Sequence, residues 1–492
     1  MSSARLTIHS AFRRGTVASE LFGSFVEHMG RCVYGGIFDP ESPKADADGD
    51  RTDVLELVRE LGVTAVRYPG GNFVSGYRWE DGVGPVGDRP ARLDLAWKTR
   101  EPNTFGLHEF MRWCAKAGVE PIMALNLGTR GVDAARALLE YANGQPGTEW
   151  ADRRIEHGAP DPFGIRYWCL GNEMDGPWQT GQKTAREYGR LARETAKAMK
   201  TIDPELRLIA CGSSHERMAT FGEWEREVLE ETYPFVDYIS LHAYYEPDPG
   251  DPWRLLEAGH SMDLFIQGVI ATADSVKARL GESKPMLLAF DEWNIYDPAR
   301  FAPQPDAWVD AGSPIIEGAY DALDAVVVGD LITTLLRHAD RVRIAALAQL
   351  VNVLAPIMTT RDEATRQSIF RPFALLSRTV GGVVLESAIS TRALPSERFG
   401  ELPEVASAVV LAADRTGLTV SIVNRNPHES VQVALELADL DVEPQDVVTL
   451  TPEGEQSAAL QMDRPGRVTL ELPPASWTMC SFGLNVGDDA AA

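Results

Sequence analysis

Glu173, in LGNEMDGPW, and Glu292, in FDEWN, each stand at the end of a short apolar run. Two carboxylates delivered from different strands into one pocket are the equipment of glycoside hydrolysis, which needs one protonated acid and one ionised partner. Helix capping explains either residue taken alone; taken together they favour a site. Asn172, directly before Glu173, can hydrogen-bond a sugar hydroxyl beside the reacting carbon. Polar residues end the other apolar runs as well: Glu27 and His28; Arg67, Gly70, Gly71 and Asn72; Asn126; Ser213 and Ser214; His242 and Tyr244; Asp291; Gln349 and Asn352. Polar groups this dense at one end of apolar strands are costly unless they face a common wet cavity. Trp79, Trp97, Trp178, Trp293, Tyr244 and Tyr245 fall in or near the same loops and offer faces on which sugar rings stack, whereas Trp113 and Trp168 lie within helical or strand runs and read as core.

Other chemistries are less well supported. His28 and His242 could join the two glutamates around a metal, but no H-x-x-x-H spacing supports this, and hydrogen bonding to substrate or to the carboxylates is their expected role. Asp46-Ala47-Asp48-Gly49-Asp50 resembles the start of a calcium loop, yet its glycine comes early and Leu57 stands where the closing glutamate belongs; a solvated acidic loop is expected. None of the glycine pairs is followed by the G-K-S/T of a phosphate loop.

The elements that must position these residues are legible from periodicity. Apolar runs begin near Leu21, Thr64, Glu120, Ile165, Leu206, Val236, Lys284 and Arg343, and amphipathic stretches such as GLHEFMRWCAKAGV and KTAREYGRLARETAKAMK separate them. Most of the eight are near-continuously apolar, as in a parallel sheet covered on both faces. Eight βα units closing on themselves predict a (β/α)₈ TIM barrel, with an open doubly wound sheet as the rival. After Gly382 the chain changes to short runs of alternating polarity separated by Pro, Gly, Asn and Asp, which predict an antiparallel, jelly-roll-like β-sandwich. The N-terminal ARLTIHS has the same character. The expected domains are therefore a barrel over 16–382 and a sandwich built from 1–15 plus 383–492, with GDDAAA as a frayed tail.

Composition narrows the function classes. With 72 acidic against 47 basic residues the formal charge is −25, which opposes binding to nucleic acid or to anionic lipid and suits a neutral substrate. The five cysteines are scattered and form no C-x-x-C, so no disulfide framework or zinc ribbon is readable. The stretch Ile344 to Met358 comes closest to a membrane span but carries Gln349 and Asn352. The opening MSSARLTIHSAFRRG lacks the apolar core of a signal peptide, and a cytoplasmic location is expected.

The motifs GSFVEHMGRCVYGGIFDP, RYPGGNFVSGYRWEDGVGP, NLGTRG, YWCLGNEMDGPWQTG, DYISLHAYY, FDEWN and LAQLVNVLAPIMT, in this order, resemble glycoside hydrolase family 51, the α-L-arabinofuranosidases. The resemblance implies that Glu173 is the general acid/base and Glu292 the nucleophile of a retaining exo-enzyme. It assigns Glu27, Asn72, Asn172, Tyr244 and Gln349 to holding the furanose, and Trp97 and Trp178 to the approach. It further implies no metal, no cofactor, an arabinofuranosyl oligosaccharide substrate and a homohexamer. After FDEWN the family usually carries a pair of aromatics, where this chain has Tyr296 alone in a Pro-rich loop bearing Trp308. Rival readings are the same chemistry on a xyloside or glucan, a metal-dependent isomerase or lyase, and a non-catalytic sugar-binding barrel.

Overall fold

All eight expected apolar runs form strands, and they close. The computed structural model describes residues 2–457 and 459–484. Its barrel consists of Gly23–Phe25, Ala65–Tyr68, Glu120–Ala124, Tyr167–Leu170, Arg207–Ala210, Tyr238–Tyr245, Leu287–Ile295 and Val342–Ala348, called barrel strands 1 to 8 below. They neighbour one another in sequence order, every pairing is parallel, and strand 8 returns to strand 1. Ala65, Ile122, Ala124, Tyr167, Cys169, Ile209, Ala289 and Ile344 form a separate apolar cluster. Arg67 lies two residues beyond Ala65, so it shares that residue's face of the strand.

The surrounding helices bury one stripe each. Ala185–Ile202 shows how its start is fixed: Thr184 Oγ1 accepts the backbone N–H of Glu187, while the Glu187 carboxylate accepts the N–H of Thr184 at 2.9 Å. Ala322–Arg337 differs, being buried from Asp324 to Leu336. It packs on the barrel on one side and on the C-terminal sheet on the other, so its sequence is apolar around nearly its whole girth.

The C-terminal strands belong to a ten-stranded sheet with Ser2–Thr16 inserted among them. Residues from distant strands of that sheet, among them Leu6, Val409, Ile422, Val433, Leu470 and Phe482, share one core. Ser2–Thr16 runs antiparallel to Val383–Ser390 but parallel to Val431–Leu437, the one departure from an antiparallel sheet. A strand that reaches the sheet without a hairpin is free to take either direction. Val383–Ser390 and the hairpin Ala393–Ser396/Gly400–Pro403 lie outside the runs legible in the sequence, because their exposed positions dilute the apolar signal. The tail GDDAAA lies outside the described residues. Among the described residues no helix is long and apolar enough to cross a membrane.

A buried fork–fork ion pair fastens sheet to barrel. Arg425 donates through Nε and Nη2 to the two oxygens of Asp330 at 2.8 and 2.9 Å, and both side chains are almost fully buried. Beside it the indole of Trp477 lies so close to Gly329 that a Cβ there would sit 2.5 Å from the ring. Replacing Arg425 by Ala leaves the Asp330 charge buried and uncompensated, so the folded protein should lose about 3–5 kcal/mol. Chemical denaturation of the Arg425→Ala variant checks this; a loss below about 1 kcal/mol would show that the pair does not hold the two parts together.

Candidate active site

Glu173 and Glu292 meet at the C-terminal mouth of the barrel. Strand 4 ends at Leu170, Gly171 turns the chain at φ +100°, and Glu173 itself sits at φ +44°. A non-glycine residue in that left-handed region stores about 1–3 kcal/mol and marks a position held by its surroundings. The holders are the Trp178 indole, whose Nε1 donates to Glu173 Oε2 at 2.6 Å, and His242, whose Nδ1 lies 3.0 Å from Oε1. Glu292 lies within strand 7 beside a register irregularity against strand 6. It accepts from Arg67 Nη1 at 2.7 Å and from the Tyr244 hydroxyl at 3.0 Å. One oxygen of each glutamate and one ring nitrogen of His242 all lie within 4.8 Å of one another.

The charges are arranged around that pair. Burial pushes the Glu292 carboxyl above its ordinary value; His242 and Arg67 pull it back, and Glu173 and Asp291 push the same way as burial. Arg67 is itself buried, lying 3.1 Å from Asp291 and donating to Asn172 Oδ1 at 2.8 Å. Burial disfavours charge on His242, yet Glu292 and Asp291, with a hydrogen bond to Glu173, hold its imidazole well above the usual value. Its Nε2 lies 3.3 Å from Asp291 Oδ1, so the ring stands between carboxylates on both sides. His242 thus takes the carboxylate-bonding role expected of it. His28 does not join the pair: it bonds Glu101 and Tyr68 and stacks on Phe73.

A cavity of about 190 Å³ opens over Glu292, equal to roughly six water volumes and therefore of monosaccharide scale. Glu27, Asn72, Trp97, Tyr244 and Gln349 line it together with both catalytic candidates, and Met29, Ile316, Val353 and Leu354 supply an apolar wall. Glu27 Oε1 accepts from the Phe73 N–H and from Trp97 Nε1, and Oε2 accepts from Gln349. Burial raises the Glu27 carboxyl to about 8. Gly70 and Gly71 allow the close approach, since a Cβ at Gly71 would stand 2.8 Å from Glu292 Oε1. Trp97 is set by Asp94, which accepts its N–H at 3.0 Å, and by the loop after strand 7, where Gln304 donates to the Ala96 carbonyl. Val309–Asp310 of that loop also pairs with Thr99–Glu101.

Some expected residues stand elsewhere. Asn172 is buried behind the wall, bonded to Arg67, and Trp178 lines a second hollow beyond Glu173. Trp79 and Trp293 offer no face to a sugar because they are buried, Trp79 against Trp150 and Tyr141, and Tyr245, also buried, stands away from the cavity over Glu292. Trp113 and Trp168 are core, as expected. The acidic loop is not merely solvated: Lys116 Nζ sits 2.7, 2.8 and 2.6 Å from Asp46, Asp48 and Asp50, where a cation would otherwise sit. Arg67 and Asp291, placed by the sequence among the polar strand ends around the cavity, prove to be the groups that pair with Glu292 and His242.

The raised Glu27 value has a measurable consequence. A carboxyl whose folded value exceeds its unfolded one keeps its proton in the folded state, so stability falls as pH rises from 4.5 through about 8. The Glu27→Gln variant should lose that slope, and denaturation midpoints at pH 5 to 8 that fall equally in both proteins would contradict it.

Two family models match the chain, an α-L-arabinofuranosidase 1 domain over residues 57–251 and an α-L-arabinofuranosidase C-terminal domain over 291–480. The chain is 52% identical to an intracellular exo-α-(1→5)-L-arabinofuranosidase of Streptomyces lividans, over 97% of this chain and 75% of the relative. It is 46% identical to an exo-α-(1→6)-L-arabinofuranosidase of Bifidobacterium longum, over 97% of each. Among solved structures, AbfB, a family 51 α-L-arabinofuranosidase from Bifidobacterium longum, superposes with a TM-score of 0.92 at 41% identity, covering 98% of this chain and all of that one. With the barrel, the matched domains and relatives of this identity in agreement, the chain belongs to glycoside hydrolase family 51, the α-L-arabinofuranosidases.

Proposed function

We propose that this enzyme releases terminal non-reducing α-L-arabinofuranosyl residues from oligosaccharides derived from arabinan or arabinoxylan, with net retention of configuration. The observation that carries the reading is the Glu173–Glu292 pair, with oxygens within 4.8 Å at the floor of a monosaccharide-sized cavity. Retaining glycosidases space their carboxyls about 5–5.5 Å apart, whereas inverting ones leave about 6.5–9.5 Å for a water.

In this mechanism Glu292 attacks the anomeric carbon while Glu173 donates a proton to the departing oxygen, giving a glycosyl ester on Glu292. Glu173 then takes a proton from water, which displaces the ester. Arg67 and Tyr244 fix the nucleophile through their hydrogen bonds at 2.7 and 3.0 Å. Glu27, Asn72 and Gln349 hold the sugar hydroxyls, Trp97 closes over the ring, and Asn172 acts through its hydrogen bond with Arg67. Trp178 orients Glu173 and faces the leaving group.

A catalytic unit over 16–382 and a sandwich unit of 1–15 plus 383–492 agree with the insertion of Ser2–Thr16 into the C-terminal sheet. A cytoplasmic location is supported by the relatives named intracellular, and assembly as a hexamer rests on the family resemblance alone. The reading requires neither metal nor cofactor.

Hydrolysis of 4-nitrophenyl α-L-arabinofuranoside by wild type and Glu292→Ala, with and without azide, tests the assignment. Wild type should be active, and the variant should lose roughly a thousandfold or more, the scale of a lost nucleophile. Azide should restore turnover by entering the vacated face and forming the β-arabinofuranosyl azide. Activity that survives the substitution would make Glu292 structural and overturn the roles of both glutamates.

A further inference from the structure

The glycone cavity is the first of three hollows that share walls in succession. Glu173, Tyr244 and Tyr296 line both it and a second hollow of about 440 Å³ on the leaving-group side. Arg217, His215, Tyr244 and Glu246 in turn line both that hollow and a third of about 300 Å³. The third ends against Glu397 and Arg398, at the tip of the two-stranded hairpin Ala393–Ser396/Gly400–Pro403, which stands apart from the ten-stranded sheet. Either outer hollow exceeds the 190 Å³ of the glycone cavity.

The arginines along this path are not equivalent. Arg254 is bonded to Asp248 and Glu397, and Arg398 donates to Glu216 at 2.8 Å. Both are spent on joining the hairpin to the barrel. Arg217 is exposed, and among the described residues it forms no ion pair; its guanidinium meets only the His215 ring, at 3.0 and 3.3 Å. A guanidinium carries five donors, so most of those on Arg217 remain open at the wall common to the two outer hollows. Upstream of it Trp178, 52% exposed, lines the second hollow.

We propose that Arg217 determines leaving-group specificity and that this path is a cleft for a neutral oligosaccharide leaving group of at least two sugar rings, the farther ring resting near the separate hairpin Ala393–Ser396/Gly400–Pro403. The proposal rests on the arabinofuranosidase reading and extends it, since that reading requires only a pocket for one sugar. Neutrality follows from charge: Glu246 lines both outer hollows beside Arg217, Glu173 borders the nearer one, and the chain as a whole carries −25. Arg217 thus offers hydrogen bonds to hydroxyls within a field that repels a uronate.

Saturation kinetics with 4-nitrophenyl α-L-arabinofuranoside, α-1,5-arabinobiose and α-1,5-arabinotriose test this in wild type and Arg217→Met. In wild type, kcat/KM should rise severalfold from the disaccharide to the trisaccharide. In Arg217→Met the ratio of kcat/KM on the trisaccharide to that on the nitrophenyl glycoside should fall about tenfold. Equal values for the two oligosaccharides in wild type, no turnover of either, or a ratio unchanged by the substitution would overturn the cleft while leaving the arabinofuranosidase reading standing. Absence of wild-type activity on the nitrophenyl glycoside would sink both.

Discussion

Two carboxyl groups with oxygens within 4.8 Å, both in a buried site, repel each other and resist ionisation, and much of the barrel mouth is arranged around that repulsion. The counterweight is Arg67. Its guanidinium reaches Glu292, Asp291 and Asn172 at once, from a strand that is otherwise apolar. His242 adds a second positive group between the glutamates, balanced by Asp291 on its other side. Removing either cation would leave a buried charge uncompensated, a far larger cost than the loss of a surface pair. The cluster therefore requires all its members, which come from strands 2, 6 and 7 and from the turn after strand 4. Only a closed barrel brings those strand ends together.

The same logic extends outward. Gly70 and Gly71 are needed because Glu27 and Glu292 occupy the space a side chain would take. Glu27 is held by two donors on one oxygen and one on the other, in a wall too dry to favour its ionisation. The loops after strands 2 and 7 pair across the mouth and fix Trp97 in the wall of the cavity over Glu292. Beyond Glu173 the hollows continue to the hairpin Ala393–Ser396/Gly400–Pro403, which Arg254 and Arg398 tie to the barrel through Glu397 and Glu216.

The barrel was legible in the sequence because each of its strands is a run of consecutive apolar residues, a signal that survives without knowledge of partners. The carboxylate pair was legible because both members end such runs. Arg67 was legible as a polar strand end but not as the partner of Glu292, which lies 225 residues away in the sequence. Trp79 and Trp293 misled for the converse reason: an indole in a loop and an indole in a core are the same residue type, and only packing separates them. The Lys116 ammonium among three aspartates, and the parallel pairing of Ser2–Thr16, likewise depend on contacts between distant segments that no local pattern encodes.

The central claim is that Glu292 carries the sugar covalently. A Glu173→Gln variant, unable to activate water, should accumulate that ester when supplied with an arabinofuranoside bearing a strongly activated aryl leaving group. Intact-protein mass spectrometry should show the addition of one anhydropentose unit, and peptide mapping should locate it on Glu292. An adduct on another residue, or direct hydrolysis to the inverted sugar with no adduct at any time, would contradict the account.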